Sequence, residues 1–233
     1  MIEPIFLVFM TCGIMLFLVL LIVLSKFRIA RRADYINSFV LPQGLFGRLQ
    51  KRRPDLTVKD CQLVNKGLRQ FFLAYLKSGR KHVSMPSQIA DDLWHEFILY
   101  TRQYDRFCQK AFGGFLHHTP AVALKASRRN NTGLRRCWWY ACKDELINPK
   151  KPTRLPLLFA LDAKLNIVDG FRYVADCSTV RREGDSNTIV YCGGDFSDST
   201  IDGGLDGFES SDSSSDSGCA GDSGCSGGGC GGD

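Results

Sequence analysis

The chain has 233 residues, a net charge of +6 and 44% apolar side chains, an ordinary composition for a protein with one modest core. Its ten cysteines, at 12, 61, 108, 137, 142, 177, 192, 219, 225 and 230, form no CxxC pair, which excludes a small disulfide scaffold. These averages hide two opposite ends: residues 1–24 are almost wholly apolar, while 193–233 hold 13 Gly, 10 Ser, 8 Asp and one Glu without Lys or Arg, so the tail carries −9 and residues 1–192 carry +15.

Residues 5–24 contain no charge and no proline, and 20 residues is the length that crosses a bilayer core. A secretory signal needs a basic start and a small-x-small cleavage site. This chain begins MIEP and runs straight into SKFRIARR, so an uncleaved single-pass anchor is predicted over 1–25. Only Glu3 precedes the span, whereas Lys26, Arg28, Arg31, Arg32, Arg48, Lys51, Arg52 and Arg53 follow it. Positive charge is retained in the cytoplasm, which puts the N-terminus outside the cell membrane, the rest in the cytosol, and the thiols in a reducing compartment. The basic run also suits the anionic inner leaflet of the lipid bilayer. It lacks the interleaved aromatics of a nucleic-acid surface, and no nucleic acid is expected as a partner.

Residues 26–54 read as a basic juxtamembrane linker, broken by Pro42, Gly44, Gly47 and Pro54 around the apolar patch Phe39, Val40, Leu41, Leu45 and Phe46. A helical domain is predicted over 55–166. Thr57 and Asp60 form a capping box for a helix that carries Leu63, Val64, Leu68, Phe71, Phe72, Tyr75 and Leu76 at helical spacing up to Gly79. Ser84 or Ser87 starts a second helix that runs to Gly113-Gly114, apolar over more than half its circumference and therefore central in a bundle. Thr119-Pro120 opens a short third helix, AVALKAS. Residues 134–146 form a fourth, and LLFALDAKL a last one after Pro149, Pro152 and Pro156. Residues 167–192 alternate in polarity, and Gly184-Asp185 suits a tight turn. A β-hairpin packed on the bundle is predicted there, with Cys177 opposite Cys192 and Val180 paired with Ile189. The tail, 193–233, has too little apolar surface to offset its ordering entropy and is expected to be disordered. The fold class is thus mainly α: one N-terminal transmembrane helix, a cytosolic helical bundle, a C-terminal β-hairpin and a disordered Gly/Ser/Asp/Cys tail.

The chemistry concentrates in residues 85–120, with three of the four histidines and seven aromatic side chains. Asp91, Asp92, Trp94, His95, His117 and His118 are the candidate binding residues. On an unbroken helix His95 lies about 27 Å from Gly113, and the four residues after it return at most about 14 Å. His117 and His118 therefore reach His95 only if the helix breaks before about Tyr104. What remains local is Asp91 and Asp92, at i−4 and i−3, on the His95 face. An acid beside an imidazole orients a metal ligand or general base, but it also satisfies a buried histidine, and the second reading is favoured. HExxH fails because Leu99 stands where a zinc protease needs histidine. Cys137 and Cys142 read as packing thiols. Cys177 and Cys192 are the pair best placed for a disulfide or half a metal site, and are expected to be reduced in a cytosolic setting. No Walker loop, dinucleotide fingerprint or nucleophile elbow is present.

Through DDLWHEFILYTRQYDRFC, AFGGFLHHTPA and TRLPLLFALDAKL the chain resembles the bacterial glycine-rich domain-containing proteins, and more distantly the plant glycine-rich domain proteins. The resemblance covers about residues 40–175 and the tail composition. It implies little chemistry and transfers no catalytic residue, while the plant relatives imply signalling or binding rather than turnover. The reading is a membrane-anchored binding or scaffolding module with an unknown protein partner and no cofactor. The alternative is a metal-dependent enzyme using His95 with Asp91 and Asp92, joined by His117 and His118, with zinc as the metal.

Overall fold

The structure is a computed structural model and describes residues 4–118, 132–175, 190–193 and 196. Helix α1 (Pro4–Ser38) is continuous over 35 residues but meets two environments. From Phe9 to Leu24 its large apolar side chains are 42–73% exposed, and the helix is long and apolar enough to span a membrane. Past Ser25 it docks on the remaining helices, with Ile36 fully buried and Tyr35 against the Phe107 ring at 6.0 Å. Phe39 follows, stacked on Phe107 at 4.8 Å and on Phe97 at 5.7 Å. Helix α2 (Leu45–Arg52) then buries Leu45 and Leu49. The stretch 26–54 is therefore largely packed: Phe39, Leu41, Leu45 and Phe46 join the core while Val40 stays exposed, Pro42 and Gly44 turn the chain between α1 and α2, Gly47 lies within α2, and Pro54 follows it.

Helix α3 (Val58–Lys77) packs on α1, α4, α6 and α7, and begins with the predicted capping box. The Asp60 amide donates to Thr57 Oγ1 at 3.2 Å, and the Thr57 amide donates to Asp60 Oδ2 at 2.9 Å. Gly67 is where α3 approaches α7: a Cβ there would run into Leu161 Cδ1 and stand 3.7 Å from Leu158 Cα.

The long second helix of the sequence reading is two helices, α4 (Gln88–Ile98) and α5 (Thr101–Phe112). Neither proline nor glycine breaks it. Tyr100 leaves the helical region at φ −83° and ψ 58°, and its carbonyl accepts from the Tyr104 amide at 2.9 Å to start α5. Packing accounts for the bend. On a straight helix Phe97 and Tyr104 lie two turns, about 10.5 Å, apart. Across the break their rings meet edge to face at 5.2 Å, with Phe107 at 5.4 Å from Phe97. The aromatic gain is about 0.5–1.5 kcal/mol for each such pair beyond area burial.

Helix α6 (Thr132–Asp144) buries Trp138, and α7 (Leu157–Lys164) closes the bundle. The predicted helix AVALKAS lies outside the described residues. Strands β1 (Arg172–Val174) and β2 (Val190–Cys192) pair in parallel, with Arg172 opposite Val190 and Val174 opposite Cys192, while the turn of the predicted hairpin at Gly184-Asp185 lies outside the described residues. Residues beyond β2 meet Trp138. Gly193 lies so close to Trp138 that a Cβ would be 2.6 Å from its ring, and Phe196 stacks on Trp138 at 5.6 Å. Gly193 and Phe196, expected to belong to the disordered tail, are buried. Residues 197–233, like Cys177, Val180 and Ile189, lie outside the described residues.

Two carboxylates from elsewhere in the chain cap the helix N-termini. Asp162, fully buried in α7, accepts from Ser87 Oγ at 2.7 Å, the Gln88 amide at 2.8 Å, the Ile89 amide at 3.2 Å and the Phe171 amide at 2.8 Å. Burial pushes its carboxyl up, and those donors pull it back. Glu145 does the same for α7, accepting from the Leu157 amide at 2.5 Å and from Gln70 Nε2 at 3.0 Å, with Arg154 on its other oxygen. Burial alone would raise its pKa, but the Leu157 amide, Gln70 and Arg154 outweigh it and hold the carboxyl below its ordinary 4.5. A depressed carboxyl contributes stability that is complete above the unfolded value and lost as pH falls through the folded one. Glu145→Gln is therefore expected to cost about 1–2 kcal/mol at neutral pH, with the gap to wild type closing in acid. Urea denaturation at a series of pH values checks this, and a gap that persists unchanged into acid contradicts it.

Cys61, Cys108, Cys137 and Cys142 are buried and free, as expected of packing thiols, and burial pushes the Cys142 thiol up to about 12. Cys192 departs from the expectation of reduced thiols: it is disulfide-bonded, and its partner lies outside the described residues.

Candidate metal and binding site

Ser87 and Asp162 together anchor the first turn of α4, with Ser87 Oγ accepting from the Ala90 amide at 3.2 Å. This fixes Asp91 in that turn and Trp94 and His95 one turn further on. The break at Tyr100 folds α5 back, and Gly113, with φ 76°, turns the chain so that residues 115–118 return to α4. A hydrogen-bonded chain holds that return: Trp94 Nε1 donates to Tyr104 Oη at 3.1 Å, and Tyr104 Oη donates to the Leu116 carbonyl at 2.6 Å. Trp94 is a buried post under the site, its ring edge-on to His118 at 4.5 Å.

His118 thus reaches Asp91, with Nε2 to Oδ1 at 2.8 Å. His95 Nδ1 lies 4.0 Å from Asp91 Oδ2, and the two imidazoles meet at 4.3 Å between centroids. One ligand atom from each of Asp91, His95 and His118 falls within 4.8 Å of the other two. The Asp91 and His118 side chains are only 5% and 10% exposed, while that of His95 is 46% exposed, so the site is closed below and open on one side. Zinc bonds nitrogen and carboxylate oxygen at about 2.0–2.2 Å, which separates tetrahedral ligand atoms by roughly 3.3 Å. The His118–Asp91 contact is slightly inside that spacing, and His95 has to swing in by about 1 Å, which its half-exposed position permits. Asp91 accepts a hydrogen bond from His118 Nε2 here, and a cation at this point would take the place of that shared hydrogen.

The other candidates fall elsewhere. Asp92 turns away from His95 and pairs with Arg53 at 2.8 Å and Arg52 at 3.5 Å, while Glu96 pairs with Arg48 at 2.6 Å. Arg53 also holds Asp169 at 2.7 Å, so Asp92 and Glu96 link α4 to α2 rather than serve His95. Arginines from α2, an element expected to be linker, claim those acids. His117 is exposed and stacks on Phe115 at 4.9 Å, outside the cluster. Cys108 is buried in α5 and is not one of the converging groups.

No curated protein and no solved structure matches the chain significantly. A family model does match, over residues 31–196, a span that begins where α1 meets the other helices and takes in Asp91, His95 and His118. The chain therefore belongs to the UCP032817-like family.

Proposed function

We propose that this protein is a membrane-anchored metal-binding module, with one divalent transition-metal site, of zinc type, at Asp91, His95 and His118. The observation that carries the proposal is the convergence of three ligand atoms from two chain segments on either side of a helix break. Two imidazoles and one carboxylate with an open side leave room for a water or a ligand group, the arrangement of sites at which metal chemistry occurs. The site gives the module a ligand-binding role and names no reaction. A second reading, a metal-free binding or scaffolding module like that suggested for the glycine-rich domain proteins, is supported by His118, already satisfied by the Asp91 carboxylate and the Trp94 ring.

Metal content separates the two. Full-length protein purified in detergent is expected to hold about one equivalent of metal by elemental mass spectrometry, and His118→Ala and Asp91→Asn to hold none. Metal-free wild-type protein that takes up no zinc on dialysis sinks the metal reading and leaves the scaffold.

The proposed location is the cell membrane, N-terminus outside and domain in the cytosol. Its support is the eight cations that follow the span and the unbroken passage of α1 from its apolar half into the docked half. The Cys192 disulfide points the other way, since such bonds are rare in the cytosol. Charge acts during insertion, before any disulfide forms, and takes precedence here. A reporter fused after residue 233 is expected to read cytosolic; an exterior signal reverses the orientation.

A further inference from the structure

Just beyond the apolar half of α1, a cavity of about 300 Å³ is lined by Arg28, Arg31, Arg32 and Tyr35 of α1 and by Lys110 of α5. Four of the five lining residues are cations and none is an acid. Among the described residues, none of the four makes an ion pair. Two rest on aromatic faces instead, Lys110 Nζ 5.7 Å from the Tyr35 ring centroid and the Arg31 guanidinium 6.0 Å from that of Phe27. Arg32 is held in place by the C-terminus of α5: its Nη1 donates to the Phe112 carbonyl at 2.8 Å, and its Nη2 lies where a Cβ on Gly113 would be 2.6 Å away. The cationic wall is therefore built partly by tertiary structure, with α5 supplying Lys110 and clamping Arg32.

Its height along α1 identifies the ligand. Arg28 and Arg32 lie about 6 and 12 Å beyond Leu24 along the helix axis, which is the headgroup layer of the leaflet α1 leaves. We infer that this cavity binds the phosphate of an anionic phospholipid headgroup, of the phosphatidylglycerol type, held between α1 and α5. The inference rests on α1 spanning a bilayer, but not on which side the domain faces. A diffuse basic patch attracts anionic lipid in proportion to its charge; this site instead requires Lys110 and Arg28 in particular.

The test uses full-length protein in mixed detergent micelles and native mass spectrometry of the lipid it retains. Wild type is expected to keep phosphatidylglycerol over phosphatidylcholine by at least about tenfold. Arg28→Gln/Lys110→Gln should lose most of that preference, while the charge-matched surface pair Lys59→Gln/Lys66→Gln keeps it, with both variants melting like wild type. No preference in wild type, or equal loss in the two pairs, overturns the proposal. Displacement of the lipid by millimolar inorganic phosphate would assign the cavity to free phosphate and overturns it equally. Carbonate extraction of cell membranes is read separately: release of wild type there removes the anchor, whatever the micelle experiment reports.

Discussion

Asp162→Ala is expected to lower the stability of the folded domain by about 3–5 kcal/mol. The carboxylate accepts from the Gln88, Ile89 and Phe171 amides and from Ser87 Oγ, and the residue is 1% exposed. Alanine leaves three amides and a hydroxyl without this acceptor in a place water does not reach, each worth about 1–3 kcal/mol, and local rearrangement recovers part of the sum. Domains of this kind are stable by about 5–15 kcal/mol, so the variant approaches the threshold of folding. Asp162→Asn keeps one acceptor oxygen and should fall between the two. Because those amides open α4 and β1, hydrogen exchange at Gln88, Ile89 and Phe171 should quicken beyond the global change. A denaturation midpoint for Asp162→Ala within error of wild type would show that another group caps α4.

Zinc is expected to raise the melting midpoint of the full-length protein and to leave that of His118→Ala unmoved. A ligand present at 100 times its dissociation constant stabilises the folded state by about 2.7 kcal/mol, which shifts a protein of this length by roughly 5–10 °C. Asp91→Asn should also abolish the shift, and His95→Ala, which removes the half-exposed ligand, should reduce it. Asp92→Asn is the informative control. It loosens the link from α4 to Arg53 and Arg52, so it should melt lower than wild type without zinc, yet keep the whole zinc shift. If Asp92→Asn loses the shift and Asp91→Asn keeps it, the ligand assignment fails. An equal shift in His118→Ala means that zinc binds elsewhere.

Apart from α2 and the split between α4 and α5, the described helices were largely legible in the chain because each carries its own signal. The Thr57–Asp60 capping box, the apolar spacing of α3 and the end at Gly79 involve only residues within a few turns of one another, and the structure reproduces them. The apolar run of α1 is equally local, since a bilayer span depends on length and the absence of charge. Trp94 and His95 stood out as the centre of the site, and Asp91 as a neighbour of His95 by helical spacing.

What the chain did not reveal depends on partners distant in sequence. The break between α4 and α5 carries no proline or glycine, and seven residues from Phe97 to Tyr104 make nearly two whole turns, so the apolar stripe stays in phase across it. Only the packing of Phe97 against Tyr104 and Phe107 repays the bend, and only that bend brings His118 to Asp91. Asp92 carries the same helical signal as Asp91, but Arg53, from a stretch that looked like linker, draws it away. The contacts of Gly193 and Phe196 with Trp138 likewise join segments distant in sequence. By itself the sequence determined the apolar span, most of the helices and the residue types available for chemistry, all of which follow from local periodicity and charge. Tertiary structure decided which of those residues meet, because burying rings and pairing buried charges between distant segments outweighs the local preference for a straight helix.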